Sequence, residues 1–202
     1  MVKRADLKRD GFYKAAKREG YRSRSAYKLL QIADKFEVIE IGDVVVDLGA
    51  APGGWSQVAR ELVGERGLVI SVDVHPIAKI GDIVILISDI TKEEKTITAI
   101  RAALAGKGRN TVDIVISDAS PQLSGNKDFD QFRSFELSAS ALAVASTLLK
   151  KQGNFVAKIF QGSYYTQFYN HVKEKFRDTR AYSPAASRKR SAEVYVIGRG
   201  YR

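Results

Sequence analysis

The chain has 202 residues, 45% hydrophobic and 28% charged, one ordinary domain's worth and long enough to bury a core without disulfides or metals. It contains no cysteine, which removes disulfide staples, thiolate zinc sites and the thiol nucleophile that carbon-methylating pyrimidine enzymes need. The net charge of +10 sits at the two ends: residues 1–28 hold ten basic and three acidic side chains, residues 171–202 hold nine and three, and the stretch between holds 14 and 17. If the fold joins those ends they make one basic face, the footprint of a nucleic-acid partner; two solvated tails are the alternative. Interleaved aromatics (Phe12, Tyr13, Tyr21, Tyr27, then Tyr182, Tyr195, Tyr201) favour ordered surface or core. No apolar signal segment opens the chain and nowhere do 18 apolar residues run together, so a soluble, cytoplasmic protein with no membrane partner is expected.

The first predicted element is a helix in SRSAYKLLQIADKF, with Ala26, Leu29, Leu30 and Ala33 on one stripe and Ser23 or Ser25 as cap. From Val44 onward, apolar β-branched runs at 44–50, 67–74, 82–90, 112–118, 153–160 and 193–198 alternate with helical patterns at 55–64, 92–105, 130–151 and 164–176. That alternation reads as βαβ units, and strands apolar on both faces are central strands covered by helices, so the expected architecture is a Rossmann-like α/β doubly wound sheet. No internal repeat, low-complexity tract or interdomain linker interrupts it. A single domain over 1–202, with a basic N-terminal helical extension over about 1–36, is the expectation.

Ligands of such sheets bind beyond the carboxyl ends of the strands. There the first strand enters DLGAAPGGWSQ, whose Gly49, Gly53 and Gly54 permit a tight turn and close backbone approach. The spacing is not GxGxxG, and Pro52 has no N–H for a pyrophosphate, which disfavours a nicotinamide dinucleotide and its oxidoreductase chemistry. Asp73 ends the second strand, where an acid accepts from both ribose hydroxyls of a nucleoside. Asp89 ends the third, placed to accept from an exocyclic amine. Either alone is equally well a turn or cap aspartate; both after this loop argue for an adenosine ligand without a second nucleotide, namely S-adenosylmethionine.

FVAKIF places Lys158 inside an apolar strand, and a buried ammonium needs partners. Asp118 and Glu193 are the candidate partners and Lys28, which interrupts the helical stripe, is a second base, so that two acids and two bases could neutralise one another; a purely structural ion-pair network, or a lysine snorkelling at a strand end, is the competing reading. After Asp118 the chain reads SDASPQLSG, without the Asp/Asn-Pro-Pro-aromatic turn that clamps a planar amine. With cysteine also missing, the target moves from a base to a hydroxyl, whose deprotonation a poised lysine assists. Trp55 also reads as a helix-packing residue, and His75 and His171 as solitary surface residues; no metal site is visible.

RSRSAYKLLQI, VDLGAAPGGWSQ, SDASPQLSG, KIFQG and SRKRSAEVYVI, in that order, resemble the FtsJ/RlmE group of RNA ribose 2'-O-methyltransferases, over nearly the whole chain. The resemblance implies the class I S-adenosylmethionine-dependent fold, with seven strands and the last antiparallel, so that the six runs above omit one near 178–183. It implies that Lys28, Asp118, Lys158 and Glu193 form a catalytic K-D-K-E tetrad, and that Gly53, Trp55, Asp73, Asp89 and Asp118 line the cofactor site. It further implies a uridine of large-subunit ribosomal RNA, free or in the subunit, as substrate of a monomer, with Lys158 as general base or orienting donor. A transfer RNA substrate and a non-catalytic RNA-binding assembly factor are the alternatives.

Overall fold

A computed structural model describes residues 11–188 and 191–202. Two short helices, α1 (Gly11–Arg18) and α2 (Ala26–Phe36), precede β1 (Val44–Leu48), α3 (Gly54–Val63), β2 (Leu68–Asp73) and β3 (Val84–Ile87). Then come α4 (Glu93–Ala105), β4 (Val112–Ser117), α5 (Lys127–Leu148), β5 (Leu149–Phe160), α6 (Tyr165–Lys175), β6 (Phe176–Tyr182) and β7 (Glu193–Tyr201). The strands form one sheet in the order β3-β2-β1-β4-β5-β7-β6, with β7 antiparallel to both neighbours and the pairings from β3 to β5 parallel.

Strand parity decides what each face of the sheet meets. Val44, Val46, Leu48, Ile70, Val115, Phe155, Ala157 and Ile159 point toward α4, α5 and α6. Val45, Val69, Ile114, Ile116, Val156, Tyr195 and Ile197 point toward α2 and α3. The α2 stripe buries Ala26, Leu29, Ile32 and Ala33, with Leu30 only partly covered. At its start Ser23 and Ser25 bond each other (Oγ–Oγ 2.7 Å) and neither side chain caps the helix.

Two boundaries differ from the expected ones. α5 starts three residues early because Asn126 Oδ1 accepts the amides of Asp128 and Phe129, at 3.1 Å each, a side-chain cap that no apolar period announces. It also stops early: at Leu149 the chain turns directly into β5, which pairs with Val112 before a register shift. The strand missing from the six runs is β6, FRDTRAY, an edge strand that buries only Phe176 and Thr179 and exposes Arg177 and Arg180, so it carries no β-branched run of the kind that marks β1, β2 and β4.

Candidate active site

Parity also assembles the polar cluster. In β5 Lys158 shares the face of Val156, and the antiparallel register sets it opposite Tyr195, with Phe160 opposite Glu193. Asp118, one residue past β4, shares the parity of Ile114 and Ile116. Lys28 comes from α2, which covers that same face. Four residues spread over 165 positions therefore converge beside the carboxyl ends of β4 and β5.

Lys158, 5% exposed, donates from Nζ to the Asp118 main-chain carbonyl at 2.8 Å and lies 3.2 Å from Asp118 Oδ1 and 3.7 Å from Glu193 Oε1. Lys28, 8% exposed, donates to Glu193 Oε2 at 2.7 Å. Both carboxylates and both ammoniums are thus paired, as burial of charge requires. Burial alone would raise the Glu193 carboxyl; the Lys28 and Lys158 charges outweigh it and hold it below the ordinary glutamate value. One member went unassigned in the sequence reading. The Tyr195 hydroxyl donates to Asp118 Oδ1 at 2.7 Å, and burial, then the charges of Asp118 and Glu193, push it well above the ordinary tyrosine value, so it remains a donor. Its position two residues after Glu193 in a strand was the available signal, since i and i+2 share a face.

A cleft of about 270 Å³ opens beside the cluster, lined by Gly49, Ala51, Asp73, Asp89, Asp118 and Ser120 among others. Gly49 (φ 74°) is where two loops nearly touch: a Cβ there would lie 2.6 Å from the Ala119 Cβ, so any side chain would strain the turn and block the approach. Asp73 fixes the floor, Oδ2 accepting from the Ala51 amide at 2.9 Å and Oδ1 from the His75 amide at 2.8 Å, and Oδ2 keeps a lone pair. The exposed His75 ring lies 3.1 Å from Asp73 Oδ1. Asp89 Oδ1 accepts from the hydroxyl and amide of Thr91, bonds that draw its carboxyl below the usual aspartate value and leave Oδ2 free. The arrangement suits an adenosine: two carboxylates to accept from hydroxyls and amine, glycine backbone for close approach.

Two residues expected on that wall, Trp55 and Gly53, are not among the residues lining the cleft. Trp55 is 2% exposed, its indole N–H donating to the Ser25 carbonyl at 2.9 Å and its ring lying 5.6 Å from that of Tyr195. Gly53 (φ 109°) makes the turn itself, its amide bonding Ala50 O at 2.7 Å while a Cβ would meet Ile80 at 2.5 Å. Their helix faces the sheet, so Trp55 couples α2 and Tyr195 to the loop. The charged ends do meet: Arg24 donates to the Ala186 carbonyl, and Gln31 Oε1 accepts the Ala186 amide at 3.1 Å. Arg22, however, spends its guanidinium on the carbonyls of Ala78 (2.6 Å) and Lys79 (2.8 Å) and tethers a loop. Residues 1–10, 189 and 190 of the basic ends lie outside the described residues.

A parallel sheet with this one antiparallel strand, a glycine loop after β1, acids after β2 and β3, and a Lys-Asp-Lys-Glu cluster beside the cleft together define a methyltransferase. The chain belongs to the FtsJ-like methyltransferase family, whose model matches residues 21–201. It is 53% identical over 191 residues to the "Ribosomal RNA large subunit methyltransferase E" of Methanothrix thermoacetophila, covering 95% of this chain and 72% of that one. It is 47% identical to the protein of the same name from Archaeoglobus fulgidus, covering 96% of this chain and 97% of that one. A crystal structure from Plasmodium falciparum, assigned as a ribosomal RNA methyltransferase, shares the fold with a TM-score of 0.78 at 24% identity, covering 90% of this chain and 98% of that one.

Proposed function

We propose that the protein transfers the methyl group of S-adenosylmethionine to a ribose 2'-hydroxyl of large-subunit ribosomal RNA, at a uridine. The observation that carries this reading is the interlocked Lys28–Glu193–Lys158–Asp118 set at the junction of two cavities, the cleft above and a second cavity that shares Ser120 with it and Glu193 with the cluster. The names of the relatives support the ribosomal target. The sequence after Asp118, without an aromatic amine clamp, supports a hydroxyl acceptor.

When bound, S-adenosylmethionine supplies an electrophilic methyl. Asp73 accepts from the ribose diol of the cofactor, Asp89 Oδ2 from its adenine amine, and the Gly49–Ala51 backbone lies against its chain. Gly53 and Trp55, at the turn after β1, would complete the cofactor site. On the acceptor side Lys158 fixes the 2' oxygen. Held by the Asp118 carbonyl and two carboxylates, its Nζ has one orientation, and aligning two bound reactants lowers the barrier by up to about 7–11 kcal/mol in ideal cases. Glu193 keeps Lys28 and Lys158 apart at fixed positions, and Tyr195 orients Asp118.

The test incubates the protein with labelled cofactor and, separately, large-subunit RNA, assembled large subunits and transfer RNA, then digests each to nucleosides. Label in 2'-O-methyluridine from the large-subunit samples is expected. Label in transfer RNA alone moves the substrate; label in no RNA overturns the reading.

A further inference from the structure

The second cavity, about 500 Å³, has features that the tetrad leaves unexplained. Leu123 and Phe160 give it apolar walls, and Lys127 and Arg188 stand at its rim without an ion pair among the described residues. Its floor includes Gln131 of α5, only 6% exposed. The Gln131 carboxamide lies flat on Gly162, where a Cβ would sit 2.0 Å from Oε1 and 2.5 Å from Nε2. Oε1 accepts the Ser163 amide at 3.1 Å. An N–H meets an oxygen and not an NH₂, so the amide cannot be turned over. Nε2 therefore faces away from Ser163, with no hydrogen-bond partner among the described residues. A largely buried side chain held in one orientation, with its donor nitrogen turned to a cavity it lines, is placed to offer that cavity a hydrogen bond.

We infer that Gln131 reads the base of the methylated nucleotide by donating from Nε2 to the 4-carbonyl of a uracil. Apolar walls suit the faces of a base, the two free cations suit flanking phosphates, and the cavity opens at Glu193, where the ribose would meet the tetrad. Gly162 follows β5, the strand that carries Lys158, by two residues, and Glu193 of the tetrad lines the same cavity as Gln131, so a nucleotide entering this cavity can present its sugar to the tetrad and its base edge to Gln131. At that edge uracil presents an acceptor; cytosine presents an amine, which would face two donors against each other. The inference rests on the ribose-methylation reading above and adds to it the residue that selects the base.

The test first maps the methylated nucleotide by primer extension at limiting dNTP, which pauses at a 2'-O-methyl, then uses short RNAs spanning it, with uridine or cytidine at that position, and measures kcat/KM for the parent, Gln131→Glu, Gln131→Met and Gly162→Ala. The parent is expected to favour uridine by about tenfold or more. Gln131→Glu keeps the acceptor for Ser163 but offers cytosine an acceptor in place of a donor, so the preference should vanish or invert. Gln131→Met should abolish it without inversion, and Gly162→Ala should do the same because the added methyl displaces the carboxamide. Cofactor affinity should match the parent in all three. If the uridine preference survives in these variants, or the mapped nucleotide is not a uridine, the assignment of Gln131 is overturned while ribose methylation stands. If the parent methylates no RNA, both fall, and the labelling experiment alone reveals it.

Discussion

The two faces of the sheet use the same strands for different ends. Toward α4, α5 and α6, strands β5 and β7 present Phe155, Ala157, Ile159, Val194 and Val196, all apolar. Toward α2 and α3 the alternate positions present Lys158, Tyr195 and Glu193, and β1 presents Asp47. One face gains its stability from dispersion and exclusion of water; the other accepts buried polar groups and pairs the two ammoniums and two carboxylates of the cluster with one another. The lesson is that a strand can hold a reactive ammonium rigidly because its neighbours at i±1 anchor it in an apolar layer on the far side.

The sharpest break of that comparison should come from the apolar face. Phe155 is fully buried, 5.9 Å from the Phe176 ring and 6.5 Å from that of Phe168. Phe155→Ala is expected to cost about 3–5 kcal/mol of unfolding free energy in denaturant titration, while protein kept folded at low temperature still binds cofactor. If the methylation rate fell as far as the stability, the faces would not be separable.

On the polar face the effects should reverse. Lys158→Ala is expected to lower the single-turnover methylation rate at least about 100-fold, with cofactor affinity by calorimetry close to the parent. Lys158→Arg should not rescue it, because a planar guanidinium cannot occupy the same point. A parental rate in either variant would reduce the tetrad to a structural ion-pair network.

Asp73→Ala sharpens the boundary between cluster and cleft. It should weaken S-adenosylmethionine binding by about 1.5–3 kcal/mol, the worth of hydrogen bonds to a charged acceptor, and leave RNA binding as in the parent. Unchanged calorimetric affinity would remove Asp73 from the cofactor site.

The smallest effect concerns Asp47, fully buried, its Oδ2 accepting from Ser56 at 2.6 Å and its Oδ1 unpartnered. Burial pushes its carboxyl from 3.8 up to about 7, against the Ser56 bond and with the help of Asp118 and Asp73. A raised folded value means that the contribution to stability is complete below the unfolded value and is lost as pH rises toward 7. Asp47→Asn should therefore melt at a higher temperature than the parent at pH 8, by the equivalent of about 1–3 kcal/mol, with the gain shrinking near pH 4. A pH-independent difference would show that Asp47 is not the titrating group. Glu193 has the opposite sign: its lowered value makes its contribution present above 4.5 and lost as pH falls further.

Much of this architecture is legible in the chain because hydrophobic periodicity is a local property. The runs of β1, β2, β4 and β5 announce central strands, and the α2 stripe announces a helix against them. Outer elements were harder: β3 shrinks to Val84–Ile87, and β6 has the polar composition that a solvent-facing edge permits. Lys158 was conspicuous because an ammonium in an apolar strand costs too much to be accidental. Trp55 was not resolvable by the same reasoning, since an aromatic at the start of a helix reads equally as ligand wall or packing.

What the amino-acid order determines by itself is the alternation of strands and helices, the acids at strand ends, and the need for Lys158 to find partners, because each follows from the chemistry of neighbouring residues. What only the tertiary structure decides is which partners those are. The register that sets Tyr195 opposite Lys158, the seat of Lys28 on the covering helix, the bond from the Trp55 indole to Ser25, and the keyed amide of Gln131 all depend on segments far apart in the chain. Pairing register and helix docking are set by the sum of many weak contacts across the core, and no local window of sequence contains that sum.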